Sequence, residues 1–264
     1  MTNSWQKRIH RAEELADQHT SVAEILRFYI QIARFQEHLC NGLAEVFGTN
    51  VRPAFEQALG PAELSELIPR FASFLSVVES HGPEPLARLG RDLRRRGSQS
   101  WSDLLNSSWA ALSASQAQEF LARSFLQPYA ELVRSQVTQR PKSSAYALCP
   151  FCCRKPGLGA LRPQGDGASR SLICSFCLAE WDFRRILCPG CGEEDNRKLP
   201  VFTASEFDFI RLECCDTCKT YIKTIDLAKN GLAEPVVDEI ASAPLDLWAQ
   251  SRGYAKLQLN VIGM

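Results

Sequence analysis

The chain has 264 residues, 45% of them hydrophobic and 23% charged, and its 30 Lys+Arg balance its 30 Asp+Glu. That composition excludes a disordered or fibrous chain, and the length favours two units of unequal size. A formal net charge of zero gives no steering towards nucleic acid or anionic lipid, so neither is an expected partner.

In chain order, the first segment, MTNSWQKRIHRAEELADQH, has no apolar core of signal-peptide length, and no apolar run reaches the roughly 18 residues of a membrane span. This predicts a cytoplasmic protein without membrane insertion. Ser21-Val22-Ala23-Glu24 has the form of a capping box, followed by Ile25, Phe28, Ile32, Phe35, Leu39, Leu43 and Val46 at steps of three and four. That spacing predicts an amphipathic helix. Phe71, Phe74, Leu75 and Val78, then Leu86, Leu89 and Leu93, then Phe120, Leu121, Phe125, Leu132 and Val133 predict others, separated by Gly- or Pro-containing breaks. Residues 1–140 therefore read as an all-α helical bundle.

The stretch from Thr138 to Ser144 is polar, aperiodic and contains Pro141, the profile of a linker. Beyond it the composition changes sharply. Of 11 cysteines, all but Cys40 fall between Cys149 and Cys218. Short segments there, Ser171-Leu172-Ile173 and the alternating Phe207 to Leu212, predict small antiparallel hairpins. Residues 141–232 read as two tandem β modules, about 145–183 and 184–232. Residues 233–264 read as a C-terminal helix and tail, with Pro244 interrupting a helix over 235–250.

Eight of the cysteines form four Cys-x-x-Cys pairs: Cys149 with Cys152, Cys174 with Cys177, Cys188 with Cys191, and Cys215 with Cys218. Two intervening residues let the backbone turn and aim both sulfurs at one point, and two such turns complete a tetrahedral site. The intervals hold 21 residues from Cys152 to Cys174 and 23 from Cys191 to Cys215, but only ten from Cys177 to Cys188. This rhythm predicts two metal ions in two four-thiolate sites, first pair with second and third with fourth, with an interleaved pairing as the alternative. Soft thiolates suit zinc or mononuclear iron alike. Such sites have no open coordination position, and the four histidines, His10, His19, His38 and His81, lie in the helical part, away from the cysteine cluster in sequence. With no Gly-rich phosphate loop or nucleophile elbow, the residues argue against an enzyme and name no catalytic residue.

Between Cys188 and Cys218, Arg197, Lys198 and Arg211 stand against Glu193, Glu194, Asp195, Glu206, Asp208, Glu213 and Asp216. Such an acidic stretch reads as a solvated face or, more sharply, as a dock for a basic peptide of a partner; a nucleic-acid-binding zinc ribbon, the first alternative function, is usually basic. The second alternative, a rubredoxin-like electron-transfer or thiol-redox protein, requires reversible iron chemistry or a reactive dithiol.

From Cys149 onward the sequence resembles the formate dehydrogenase accessory protein family, FdhE. The resemblance rests on the four pairs in order, on Cys174-Ser175-Phe176-Cys177-Leu178-Ala179-Glu180-Trp181, and on Cys215-Asp216-Thr217-Cys218-Lys219-Thr220-Tyr221-Ile222-Lys223. It continues through Asp238-Glu239-Ile240-Ala241-Ser242, Leu245-Asp246 and Gly253-Tyr254, with His81-Gly82-Pro83 as a local cue in the helical part. It implies a cytoplasmic, chaperone-like maturation factor that contacts the catalytic subunit of respiratory formate dehydrogenase before export by the twin-arginine route. It also implies rubredoxin-like sites that hold iron, with the eight paired cysteines as ligands. Only Cys191 is followed by the glycine common after a rubredoxin-type pair; Cys153, Leu178 and Lys219 stand at the other three positions. Trp181, Tyr221 and Lys223 match the family pattern, and the two aromatics are expected to pack beside the sulfurs. Asp238 and Asp246 are expected to be surface or capping groups.

Overall fold

The computed structural model describes residues 2–52, 54–111, 116–138, 147–260 and 262–263. Five helices precede the cysteine pairs: α1 (Thr2–Gln18), α2 (Ala23–Phe47), α3 (Pro61–His81), α4 (Glu84–Trp109) and α5 (Gln116–Gln136). Helix α2 is the one predicted by the apolar spacing, and it buries Phe28, Ile32, Leu39 and Leu43. The expected capping box does not form. A 3-10 turn at Thr20–Val22 leads directly from α1 into α2, so Val22 is the N-cap and no side chain caps the helix. Helix α1 had no separate prediction, although Trp5, Ile9, Ala12 and Leu15 give it a buried stripe. The predicted linker lies, except for Thr138, outside the described residues.

The hairpins differ from expectation in one respect. Strands β1 (Pro156–Gln164), β2 (Gly167–Cys174), β3 (Glu180–Asp182), β4 (Val201–Ala204), β5 (Phe207–Cys214), β6 (Thr220–Asp226) and β7 (Ala255–Lys256) form one seven-stranded sheet. Its order is β3-β2-β1-β6-β5-β4, with β7 beside β6. Each half is antiparallel and repeats the same sequence of cysteine pair, hairpin, cysteine pair and strand. The halves join through a parallel pair, β1 with β6, in which Gly159 faces Thr224. A Cβ at Gly159 would lie 2.4 Å from Thr224 Oγ1, so this close joint requires a residue without one.

The C-terminal helix is two helices, α6 (Pro235–Ala241) and α7 (Ala243–Ser251). Pro244 falls in the first turn of α7, where its missing N–H removes no helical bond, so it starts the second helix instead of only interrupting the first. One hydrophobic core runs from the helical part, through Leu158, Ala160, Ile173 and Ile225 of the sheet, to Val237 and Ile240 of α6. The cysteine-bearing part thus shares a core with the helices, and metal is not its sole source of folding free energy.

Beneath α6 and α7 lies a buried group of charges. Lys223 Nζ, on a fully buried side chain, donates to Asp246 Oδ2 (2.6 Å) and lies 3.0 Å from Glu239 Oε1. Lys256 Nζ reaches Glu239 Oε1 at 2.5 Å and Asp246 Oδ1 at 3.1 Å. Tyr221 Oη donates to Asp246 Oδ1 (2.7 Å) and Asn260 Nδ2 to Glu239 Oε2 (2.8 Å). Burial would raise the Glu239 carboxyl, but the two ammonium groups hold it down at about 2. Asp246 is therefore a core residue, not a surface or capping group. Asp238, 1% exposed, does accept the Glu234 N–H at the start of α6 (2.7 Å), and it also holds Arg11 of α1 at 2.7 Å.

Candidate metal centres

The fold brings the first pair to the second and the third to the fourth. Cys149, Cys152, Cys174 and Cys177 have Sγ atoms within 4.8 Å of one another, and so do Cys188, Cys191, Cys215 and Cys218. Neighbouring sulfurs are 3.3–3.6 Å apart in the first cluster and 3.7 Å apart in the second. A tetrahedron with metal–sulfur bonds of about 2.3 Å has edges of about 3.8 Å, so both clusters fit one four-coordinate ion.

All four pairs use one backbone turn. The residue after each second cysteine is left-handed: Cys153 (φ +55°), Leu178 (+51°), Gly192 (+79°) and Lys219 (+55°). The N–H of each first cysteine donates to the carbonyl five residues on, at Arg154, Ala179, Glu193 and Thr220, each 2.9 Å. Further N–H groups point at sulfur, from Phe151 to Cys149 (3.5 Å), Phe176 to Cys174 (3.4 Å) and Gly190 to Cys188 (3.3 Å). The missing glycines do not change the turn; three side chains accept a conformation that costs roughly 1–2 kcal/mol per L-residue.

Four thiols this close cannot all lose their protons unaided. Hydrogen bonds from Cys152, Cys174 and Cys177 hold the Cys149 thiol far below the usual range, and the bonds to Cys149 drive Cys152 and Cys177 far above it. A divalent ion removes that conflict by drawing all four to the thiolate form. In the second cluster burial pushes Cys188 up to about 12, while at Cys218 the bonds from Thr220 outweigh burial and bring it to about 7.

The surroundings of the clusters differ. Cys149, Cys174 and Cys177 belong to the main core, and Phe176, between the last two, meets the Trp109 and Phe55 rings at 5.6 Å and 6.3 Å. Arg134 of α5 donates to Leu178 O (2.9 Å). In the second cluster Cys191 is exposed and borders an open groove with Arg184, Arg185, Leu187 and Pro189. Trp181 is half-buried against the main core, whereas Tyr221 packs with Leu212, Cys214 and Tyr254. The acids of the second module are engaged within the chain: Glu193 with Thr217 (2.6 Å), Glu194 with Arg184 (2.8 Å) and Asp195 with Arg197 (2.8 Å). No histidine joins either cluster; His19 instead meets Glu206 (3.3 Å) and the Phe207 ring (5.2 Å), tying the α1–α2 turn to the β4–β5 hairpin. The buried Lys223 group was not foreseen, since a lysine in an alternating strand reads as exposed. Among the described residues no helix is long and apolar enough to cross a membrane.

Residues 186–262 match the family described as FdhE, C-terminal domain. The chain is 29% identical to the Protein FdhE homolog of Aquifex aeolicus over 97% of this chain and 94% of that protein. It is 28% identical to the Protein FdhE homolog of Shewanella oneidensis over 78% of this chain and 66% of that protein. The crystal structure of the FdhE protein from Pseudomonas aeruginosa has the same fold, with a TM-score of 0.70 at 21% identity, covering 99% of this chain and 96% of that one. These matches agree with the resemblance carried by the cysteine pairs and their flanking residues: the chain is similar to FdhE proteins over nearly its whole length, and its C-terminal part matches the FdhE C-terminal domain.

Proposed function

We propose that the chain is a non-enzymatic, cytoplasmic accessory factor for the maturation of respiratory formate dehydrogenase, binding the catalytic subunit before that subunit is exported. The similarity to FdhE proteins supports the accessory role. The observation that carries the rest of the reading is the pair of closed four-cysteine clusters. Cys149, Cys152, Cys174 and Cys177 would hold one metal ion, and Cys188, Cys191, Cys215 and Cys218 a second. Iron is favoured by the family resemblance, with zinc as the alternative. Four thiolates leave an ion no position for water or substrate, so each site orders the chain, or passes an electron, without acting as a Lewis acid. The exposed second cluster and the groove beside it supply a surface for a partner.

The test is affinity capture of the tagged chain from cells expressing formate dehydrogenase with its export blocked, with metal analysis of the anaerobically purified chain. The expected result is the catalytic subunit in the captured fraction and two metal ions per chain. Full formate dehydrogenase activity in cells lacking the chain would sink the accessory reading, and a metal-free chain would sink the ligation.

A further inference from the structure

Two arginines beside the first cluster form no ion pair among the described residues, with Glu119 the one carboxylate that acts on both from longer range. Arg123 of α5 is 7% exposed and donates from Nη2 to Leu259 O (2.9 Å) and Ser175 O (3.4 Å). Arg154 sets its guanidinium 3.8 Å from the Phe176 ring centroid and donates to the carbonyls of Ser108 and Trp109. Every one of these acceptors is a neutral backbone oxygen, and among the described residues neither arginine forms an ion pair. Other buried arginines of the chain do: Arg8 with Glu131 (3.1 Å), Arg52 with Glu63 (3.0 Å) and Arg170 with Glu213 (2.5 Å).

A guanidinium cannot shed its proton to escape burial, so it requires a counter-charge nearby. Ser175 and Phe176 are the two residues inside the Cys174–Cys177 pair, which places both cations against one cysteine turn.

We propose that Arg123 and Arg154 are the counter-charges of the first cluster, matched to a divalent ion held by four thiolates, and that they make it the tighter of the two metal sites. Four thiolates around a divalent ion carry two negative charges, and the two guanidinium groups balance them. Metal entry requires the thiol protons to leave, and fixed positive charge favours the thiolates that remain. At the second cluster two arginines that line a groove with Cys188 and Cys215 are placed differently: Arg185 is exposed and donates to Ala168 O (3.4 Å), and Arg211 is half-buried on β5. The lysines beside this cluster, Lys198 and Lys219, are paired with Glu193 (3.6 Å) and Asp216 (2.8 Å). This inference rests on metal ligation by the first cluster and assigns a role to residues that do not touch the metal.

The test uses the full chain loaded with two equivalents of cadmium, followed by cadmium NMR as EDTA is added. Cys191→Ser removes the second site and so assigns the resonances. Wild-type protein is expected to lose the second resonance first. Arg123→Gln and Arg154→Gln are each expected to release the first-site ion at about tenfold lower EDTA, leaving the second site unchanged. Arg154→Lys keeps the charge without the guanidinium fork and is expected to stay near wild type. First-site retention unchanged in the Gln variants overturns the proposal. So does an Arg154→Lys variant as weak as Arg154→Gln, which assigns the arginine to packing and hydrogen bonding alone. The Gln and Lys pair at the half-buried position 154 decides the matter even if Arg123→Gln fails to fold. Wild-type protein that binds no cadmium at the first cluster removes the ligation reading and this proposal together, whereas bound cadmium with unaffected variants removes only the proposal.

Discussion

The two cysteine clusters have the same ligands, nearly the same spacing and the same left-handed turn, yet one is sunk in the hydrophobic core and the other meets solvent. Cys174 and Cys177 are fully buried, whereas Cys191 is exposed. Burial of the first follows from what surrounds it: helices α4 and α5 contribute Trp109, Arg123 and Arg134 to its border. A repeated module thus acquires its properties from its neighbours more than from its own sequence. The first joins the helical part to the sheet, and the second presents a face.

That contrast can be broken most directly by removing ligands. Replacing Cys149 and Cys152 with Ser is expected to abolish cooperative folding of the whole chain, because a core site would be left with polar groups and without its ion. Replacing Cys188 and Cys191 is expected to release one metal ion and leave the helical signal in far-ultraviolet circular dichroism intact. Equal thermal melts for the two double variants would erase the distinction.

If the second cluster is dispensable for folding, something else must fasten β6, and the Lys223 group is the candidate. Glu239→Gln leaves two buried ammonium groups short of a partner and is expected to cost about 3–5 kcal/mol in urea unfolding. The pH dependence has a definite sign. Glu239 is held at about 2 in the folded chain, below the roughly 4.3 of an unperturbed glutamate. Its contribution is therefore present above pH 4.3 and is lost as pH falls towards 2. Stability measured across that window should fall less steeply in Glu239→Gln than in wild type; parallel curves would show that the carboxylate is not ionised there.

The joint between the halves gives a smaller effect. Gly159→Val places carbon against Thr224 and is expected to cost about 1–3 kcal/mol by chemical denaturation. Metal retention at the first cluster should be unchanged, and its loss would mean that the halves depend on one another more closely than their separate cysteine sets imply. Smallest is the turn itself. A Cβ at Gly192 meets nothing within 4 Å, so Gly192→Ala is expected to cost about 1 kcal/mol through backbone conformation alone. Lys219→Gly is expected to relieve a similar strain, less the value of its exposed pair with Asp216.

Much of this was legible in the sequence, because the signals were local. The apolar spacing from Ile25 to Val46 gave α2, the alternation from Phe207 to Leu212 gave β5, and the interval rhythm anticipated which cysteine pairs meet. Long-range features were not legible. The parallel joining of β1 to β6 depends on a pairing that no hairpin turn announces, and only Gly159 could have hinted at it. The capping box at Ser21 failed because the chain arrives there already turning out of α1. Asp246 and Lys223 read as surface residues singly; they are core residues only because Glu239 and Lys256 come to meet them.

The Lys223 group also imposes an order on synthesis. A ribosome delivers Lys223 well before Lys256 and Asn260, so until those residues emerge, β6 carries a charge that its future neighbours cannot yet balance. A nascent chain ending short of Lys256 should leave residues 220–226 open to protease. The sheet is closed from its C-terminal side, and the half with the exposed cysteine cluster is the last to be finished.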